Sequence, residues 1–299
     1  MTDTVDVDHL QRSIQDTLTE LLRALELEPV AADRFRAGSE SDRFGRIFGG
    51  QVVGQALLAA ARTVPDHPPH SLHAYFVQTG DGTRPLDIAV QRIRDGRSMA
   101  TRQVTVTQDD RTLLTALVSF HDNPDEPRWA APAPVLPGPE QLPVLQHWAA
   151  TAPPALRPQV RHWIDVPPPL DIRIGEATYF LGGRPAEGPR SHWMRLPRDV
   201  GDDPLLHRVL LAYASDYLLL DAALRAHPDL SGHDGFQAVS LDHSVWLHRP
   251  VRFDRWHVYT QNTTVVSGHR ALVRGTIHDA AGALVASTSQ EVLIRPAER

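Results

Sequence analysis

Apolar positions along the chain recur at two spacings, and the change from one to the other occurs twice. Leu10–Leu27 repeats apolar residues at helical steps with acids between them, which predicts a surface helix. Val30–Ala37 is short and mixed and reads as an edge strand. No charge occurs between Ile47 and Ala61, so Arg46–Val64 predicts a helix buried nearly all round, with Phe48, Val52, Val53 and Leu57 in the core or in a pocket wall. Beyond Pro65–Pro69 the period drops to two. Ser71–Gln78, Leu86–Arg94, Met99–Gln108 and Leu113–His121 then read as strands, with turns at Asp95-Gly96 and Asp109–Arg111.

The same order returns later in the chain. Ile174–Leu181 and Ser191–Pro197 read as lead-in strands, and Leu205–His227 as one continuous helix, apolar on most of its surface. Ala238–His248, Trp256–Val266, Ala271–His278 and Ala283–Ile294 read as four more strands. The last strand pairs match at a shift of about 170 residues and the helices at about 161, which marks an internal duplication. Asn123–Pro169 between the copies is Pro-rich and weakly patterned, with one helix expected near Leu142–Ala150. The division expected is a first unit over 1–124, a linker over 125–169 and a second unit over 170–299. An antiparallel sheet curled round one apolar helix, doubled in one chain, is an α+β double hot-dog.

Composition narrows the chemistry. The 299 residues are 41% hydrophobic with a net charge of -6, which suits a globular protein and argues against nucleic acid as a partner. Cysteine is absent, so disulfides, thiolate metal sites and a cysteine nucleophile are all excluded. The acidic N-terminus lacks the order of a signal peptide, and Ile47–Ala61 is too short and too interrupted by Gly and Gln to span a bilayer. A cytoplasmic protein without membrane partners is therefore expected. All 30 basic side chains are arginine, the coding bias of a GC-rich, bacterial genome.

One carboxylate stands out. Leu206, Val209, Tyr213, Asp216 and Leu220 share a helical face, and an ionised Asp in such a stripe must recover its lost hydration from hydrogen bonds or a partner charge. A structural role, capping a strand or neutralising an Arg, is one reading. The other draws on Gln290, which shares its strand parity with Leu284, Ala286, Val292 and Ile294, and on Ser240, whose parity with Asp242 and Trp246 leaves its burial open. Asp, Ser and Gln from a helix and two strands suit hydrolysis by an activated water, a general base being worth roughly 10²–10⁴ in rate. A thioester is a fitting target. Gly49, Gly50 and Gln51 sit at a helix N-terminus, where backbone N–H groups could meet an oxyanion; the plainer reading is that the glycines let the helix pack closely.

Other chemistries fit less well. There is no G-x-S-x-G nucleophile turn and no Gly-rich phosphate loop. Asp242 and His243 are adjacent on a strand, so their side chains diverge and form no dyad. His67, His70 and His73 suggest zinc only on paper, because His70 and His73 face opposite ways on one regular strand. Neither metal nor cofactor is expected.

The runs Phe48–Ala60, His70–Phe76, Arg94–Ser98, Tyr213–Tyr217, Ser240–Pro250 and Leu284–Glu291 together resemble the acyl-CoA thioesterase II (TesB-type) family over nearly the whole chain. The resemblance implies a double hot-dog that hydrolyses acyl-CoA to free acid and CoA. It implies Asp216 as catalytic carboxylate, Ser240 as hydroxyl residue where relatives commonly carry Thr, and Gln290 as glutamine, with His70 as a further candidate. It also implies a homo-oligomer, a dimer or tetramer of double hot-dogs. A hot-dog hydratase or dehydratase, and a non-catalytic acyl-CoA-binding protein, are the alternatives. By the repeat, Asp216 aligns with Gln55, Gln290 with Phe120 and Ser240 with His70 or Ser71, so only the second copy is expected to carry the polar trio.

Overall fold

The computed structural model describes residues 7–40, 45–122, 129–227 and 236–296, so the expected boundary at 124/125 lies outside the described residues. The first half opens with helix α1 (Val7–Ala24), whose Leu10, Ile14, Leu18 and Leu21 are buried at helical spacing. A short hairpin, β1 (Glu28–Ala31) and β2 (Arg34–Ala37), takes the place of the single edge strand read from the sequence. Helix α2 (Gly49–Ala61) is buried almost throughout, as the charge-free run requires; Val52, Val53 and Leu57 are core, and Phe48 is half-buried beside them. Four strands follow: β3 (Pro69–Phe76), β4 (Leu86–Asp95), β5 (Met99–Gln108) and β6 (Arg111–His121).

The segment before the second half is more structured than a plain linker. It holds three short helices, α3 (Leu145–Ala150), α4 (Arg157–Val160) and α5 (His162–Asp165). Leu145, Ala149, Leu156, Val160 and Trp163 are buried, so its sparse apolar residues form a small packed patch in spite of the prolines. The expected strand Ile174–Leu181 is not formed. A strand β7 (Asp171–Arg173) precedes it, and Tyr179–Leu181 is a 3-10 turn because the Asp221 carboxylate accepts the backbone N–H groups of Tyr179 (3.1 Å) and Phe180 (2.8 Å). Strand β8 (Arg190–Arg195) lies where expected.

The second central helix is broken. Helix α6 (Pro204–Ala214) stops, Ser215–Leu218 turns, and α7 (Leu219–Arg225) resumes after Leu218 adopts a left-handed backbone with φ 65°. No Gly or Pro marks the break in the sequence. Side chains of the sheet make it possible by taking over carbonyls the helix gives up: Tyr259 Oη donates to Ser215 O (2.7 Å) and Gln261 Nε2 to Tyr217 O (2.7 Å). Then come β9 (Phe236–Ser240), β10 (Asp242–Leu247), β11 (His257–Ser267), β12 (Arg270–Asp279) and β13 (Leu284–Pro296).

All the strands join one antiparallel sheet in the order β1-β2-β4-β5-β6-β3-β10-β13-β12-β11-β8-β7, with β9 also on β13. The halves meet at β3 and β10, where His73 pairs with Ser244. Helix α2 packs on β3–β6, α7 packs on β9 and β11–β13, and α2 and α6 pack on each other. This is the α+β double hot-dog. Among the described residues no helix is long and apolar enough to cross a membrane.

The expected single strand Ala238–His248 is also broken, at Leu241. Ser244 pairs with Ser289, so an unbroken ladder would set Ser240 against Leu293; it pairs instead with Val292. One residue is therefore extra, a β-bulge that reverses the parity of β9 relative to β10. Ser240 shares the face of Val292 and Gln290, not that of Asp242 and Trp246.

The break in the helix depends on Tyr259. In Tyr259→Phe the Ser215 carbonyl stays buried without its donor, which should lower stability by about 1–3 kcal/mol in urea unfolding. Turnover should fall as well, since Ser215 precedes Asp216. A parental midpoint would show that the turn holds without the phenol.

Candidate active site

Asp216 lies in the break between α6 and α7, at the wall of a cavity of about 770 Å³. The cavity is mostly apolar. Phe48, Val52, Phe76, Leu113, Trp163, Phe180, Tyr217 and Leu218 are among its walls, so both halves and the segment between them contribute. Asp216 and Ser240 line it, whereas Gln290 and His243 stand behind them, both fully buried.

The carboxylate sits against the N-terminus of α2, which approaches α6 closely. Its cap residue Phe48 has no side-chain hydrogen bond to the helix and no acid occupies the first turn. The Gly50 N–H faces Asp216 instead, so a carboxylate from the other half completes the positive end of this helix. Close approach demands glycine: a Cβ on Gly49 would lie 2.7 Å from Asp216 Oδ2, and one on Gly50 2.2 Å from Tyr213 O. The glycines thus allow tight packing, though against a helix and a carboxylate and not against a sheet. Aromatic contacts fasten the same junction, with Phe48 meeting Tyr213 edge to face at 5.2 Å and Tyr217 at a tilt at 4.5 Å.

Burial pushes the Asp216 pKa up. His243, the Gly50 N–H, Gln290 and the charge of Arg46 oppose that rise without cancelling it. Oδ1 has no hydrogen-bond partner, and His243 Nδ1 is 4.0 Å away from it. Gln290 Nε2 donates to Ser240 Oγ at close range, and Gln290 Oε1 meets His243 Nδ1 at 3.1 Å. The structure therefore brings Asp216, Ser240 and Gln290 together.

Other expected residues lie apart. His70 is at the opposite end of β3 from Phe76, hydrogen-bonded to Ser119 Oγ at 2.8 Å, and is not a cavity residue. His73 bonds Ser244 Oγ at 3.0 Å, so these histidines have separate partners. Gln51 serves the fold: its Oε1 accepts the Glu40 N–H (3.0 Å) and its Nε2 donates to Ser39 Oγ (3.1 Å). Gln55, set against Asp216 by the repeat, donates to Ala24 O (2.7 Å) and Gly38 O (2.9 Å), while Phe120 is core.

Sequence reasoning passed over His243. Asp242 and His243 do diverge, Asp242 turning to the Glu291 N–H at 2.7 Å. Yet His243 has the parity of the buried Val245 and Leu247, and that signal was available. It points inward to Gln290 and to Ser215 Oγ, 2.8 Å from Nε2.

With this geometry in place, comparison with known proteins identifies the lineage. Residues 39–121 match the model for the acyl-CoA thioesterase N-terminal domain, and residues 166–293 the model for acyl-CoA thioesterase. Acyl-CoA thioesterase 2 of Haemophilus influenzae is 31% identical, covering 95% of this chain and 100% of the relative. The chain belongs to the TesB-type acyl-CoA thioesterase II family. Human acyl-coenzyme A thioesterase 8 is 33% identical over 91% of this chain and 87% of its own. The solved tesB protein of Mycobacterium avium subsp. paratuberculosis superposes with a TM-score of 0.76 at 32% identity, covering 93% of this chain and 100% of that one. This TesB-type protein is an acyl-CoA thioesterase, a thioester hydrolase.

The two glycines should respond differently to alanine in this thioesterase. Gly50→Ala drives a methyl group into a backbone carbonyl and should cost several kcal/mol, at the upper end of about 1–3 for overpacking or beyond. Gly49→Ala meets the movable end of a carboxylate, so its melting temperature should change less while thioester hydrolysis drops steeply. Equal effects of both on melting would contradict this division.

Proposed function

We propose that this thioesterase hydrolyses acyl-CoA with a water activated by Asp216, held in line by Ser240 and Gln290. The observation that carries the reading is the Asp216 carboxylate itself: buried, at the cavity wall, with Oδ1 unpartnered and a pKa raised by desolvation. A raised pKa makes the anion a stronger base, and a base left short of donors is ready to accept one from water. Ser240 Oγ, already accepting from Gln290, has its own proton to orient that water.

The water oxygen bonds to the thioester carbonyl carbon as its proton passes to Asp216. The C–S bond then breaks, CoA leaves as thiolate, and the proton on Asp216 neutralises it. Of the three amides expected to serve an oxyanion, Gly50 faces Asp216 and Gln51 donates to Phe48 O at 3.1 Å. We assign the Gly49 N–H to the developing negative charge. The acyl chain runs along the aromatic and aliphatic wall, where Leu156, Val160 and Trp163 add to the surface from the central segment.

Two further parts of the reading concern context. The unit boundaries 1–124, 125–169 and 170–299 divide the chain into a supporting half and a half that carries the trio. Acyl-CoA is an intracellular thioester, so the enzyme would work in the cytoplasm, as a homo-oligomer in which the exposed edge strand β1 finds protection.

A dehydratase reading needs a His/Asp pair against the acyl chain. His243 and Asp216 are near each other, but both nitrogens of His243 are engaged and the ring is not a cavity residue. That arrangement favours hydrolysis. Thiol release from acyl-CoA without a change in unsaturation is the expected assay result.

Asp216→Asn should lower kcat by roughly 10²–10⁴ with KM little changed. The parental rate should rise with pH through one ionisation above the ordinary aspartate range, and the variant should lose that limb. Stability runs the other way. The folded state holds the Asp216 proton more tightly than the unfolded one, so this group's contribution falls as pH rises from the unfolded to the folded pKa, then stays flat. Above that window the Asn variant should be as stable as the parent or more so. Single-turnover rates near parental in folded Asp216→Asn would make Asp216 a structural carboxylate. Ser240→Ala and Gln290→Ala should each lose less, and their double variant should fall short of the multiplied losses.

A further inference from the structure

A glutamine that works by direction has to be told which way to face. The carboxamide of Gln290 has nearly the same shape after a half-turn about its last bond, so packing alone does not distinguish oxygen from nitrogen. Hydrogen bonds must. Turned one way, Nε2 faces Ser240 and the Asp216 carboxylate; turned the other, Oε1 would confront that anion, acceptor against acceptor.

The far end of the amide is met by His243. Its Nδ1 lies 3.1 Å from Gln290 Oε1, inside a site with no exposure to solvent. With Oε1 as the acceptor, Nδ1 carries a proton; Nε2 is then the acceptor, and Ser215 Oγ, which lies 2.8 Å from both Nε2 and Ala212 O, turns its single proton to Nε2. The ring is braced behind by Ser215 Oγ, 2.8 Å from Nε2, and Ser215 is itself fixed because its carbonyl accepts from Tyr259 Oη at 2.7 Å. At 4.0 Å from Asp216 Oδ1, Nδ1 is beyond hydrogen-bond reach of the carboxylate, and the ring is absent from the cavity wall. His243 touches neither water nor substrate in the proposed reaction.

We infer that His243 is a positioning residue for thioester hydrolysis: its Nδ1–H holds Gln290 Oε1, and so turns Gln290 Nε2 toward Ser240 and Asp216. The inference rests on the reading of Asp216, Ser240 and Gln290 given above. The trio is thereby extended backward along one path, from Gln290 through His243 to Ser215, the residue next to the base. The bulge at Leu241 is what lets Ser240 and His243 reach the same amide from one side of the sheet, because an unbroken strand would point them to opposite faces.

The test uses three substitutions whose donors differ. His243→Phe fills the ring space without a donor. His243→Gln reaches toward Ser215 and leaves the Nδ1 position without a protein donor, which supplies a second donor-free protein should the Phe variant fail to fold. His243→Asn sets an amide N–H close to the place of Nδ1–H. Each is checked by thermal melting and assayed for thiol release from acyl-CoA in the parent and in Gln290→Ala. Folded donor-free variants should lose about 10- to 100-fold in kcat, the scale typical of residues that orient a reacting group, with KM nearly unchanged. His243→Asn should recover most of that loss. In Gln290→Ala the donor-free substitutions should have almost no further effect, because the group they act through is gone.

Parental kcat in a folded donor-free variant, failure of Asn to rescue, or an equal loss in the Gln290→Ala background would each overturn the inference. Parental turnover by Gln290→Ala alone would instead overturn the reading beneath it. The two failures are thus distinguishable.

Discussion

The site depends on where one helix begins and another stops. The N-terminus of α2 has neither a side-chain cap nor an acid in its first turn, and α6 ends against it with Asp216 just beyond its last turn. Taking an isolated carboxylate out of water costs several kcal/mol even after relaxation. A helix N-terminus returns about 0.3–1 kcal/mol, up to about 2 when partly buried, and a hydrogen bond to a charged group about 1.5–3. These magnitudes offset the burial in part only, which agrees with a pKa that remains raised. The anion is therefore tolerated without being strongly stabilised, the condition that suits a proton acceptor.

Much of the surrounding fold keeps that junction in place. Gly49 and Gly50 permit the approach, and Phe48 packs against the rings of Tyr213 and Tyr217. Tyr213 Oη donates to the buried Glu40, binding α6 to the segment before α2. On the opposite side Tyr259 and Gln261, two residues apart and so on one face of β11, hold the carbonyls of the broken helix. The duplication gives this arrangement its asymmetry. The first copy lends a helix end, while its own counterpart of Asp216 is Gln55, spent on tying α1 and Gly38 to α2.

Periodicity made most of the fold legible. Strand and helix alternate over long, strongly patterned runs, and the charge-free stretch of α2 announced its burial. What the pattern missed were departures from regularity with no local marker. The break at Ser215–Leu218 contains no Gly or Pro, and its cause lies more than forty residues away on β11. The bulge at Leu241 is set by register against β13, so strict alternation gave Ser240 the wrong neighbours. The supposed strand at Ile174–Leu181 yielded to the Asp221 carboxylate, another tertiary partner. Asp216 and Gln290 are legible because polar side chains stand out of place in apolar patterns, whereas Ser240 is singled out mainly by the family resemblance. His243 is obscured by its neighbour Asp242, from which its side chain diverges. Its parity with Val245 and Leu247 already placed it inside.

The proposed hydrolysis turns on the protonation state of one carboxyl group. Infrared difference spectra between the parent and Asp216→Asn, recorded across a pH series, isolate the protonated carboxyl band of Asp216. That band should vanish over the same pH interval in which single-turnover hydrolysis by the parent rises, and that interval should lie above the ordinary aspartate range. A carboxyl that stays protonated where the enzyme is fully active, or one fully ionised well below the rise, would contradict Asp216 as the acceptor of the water proton.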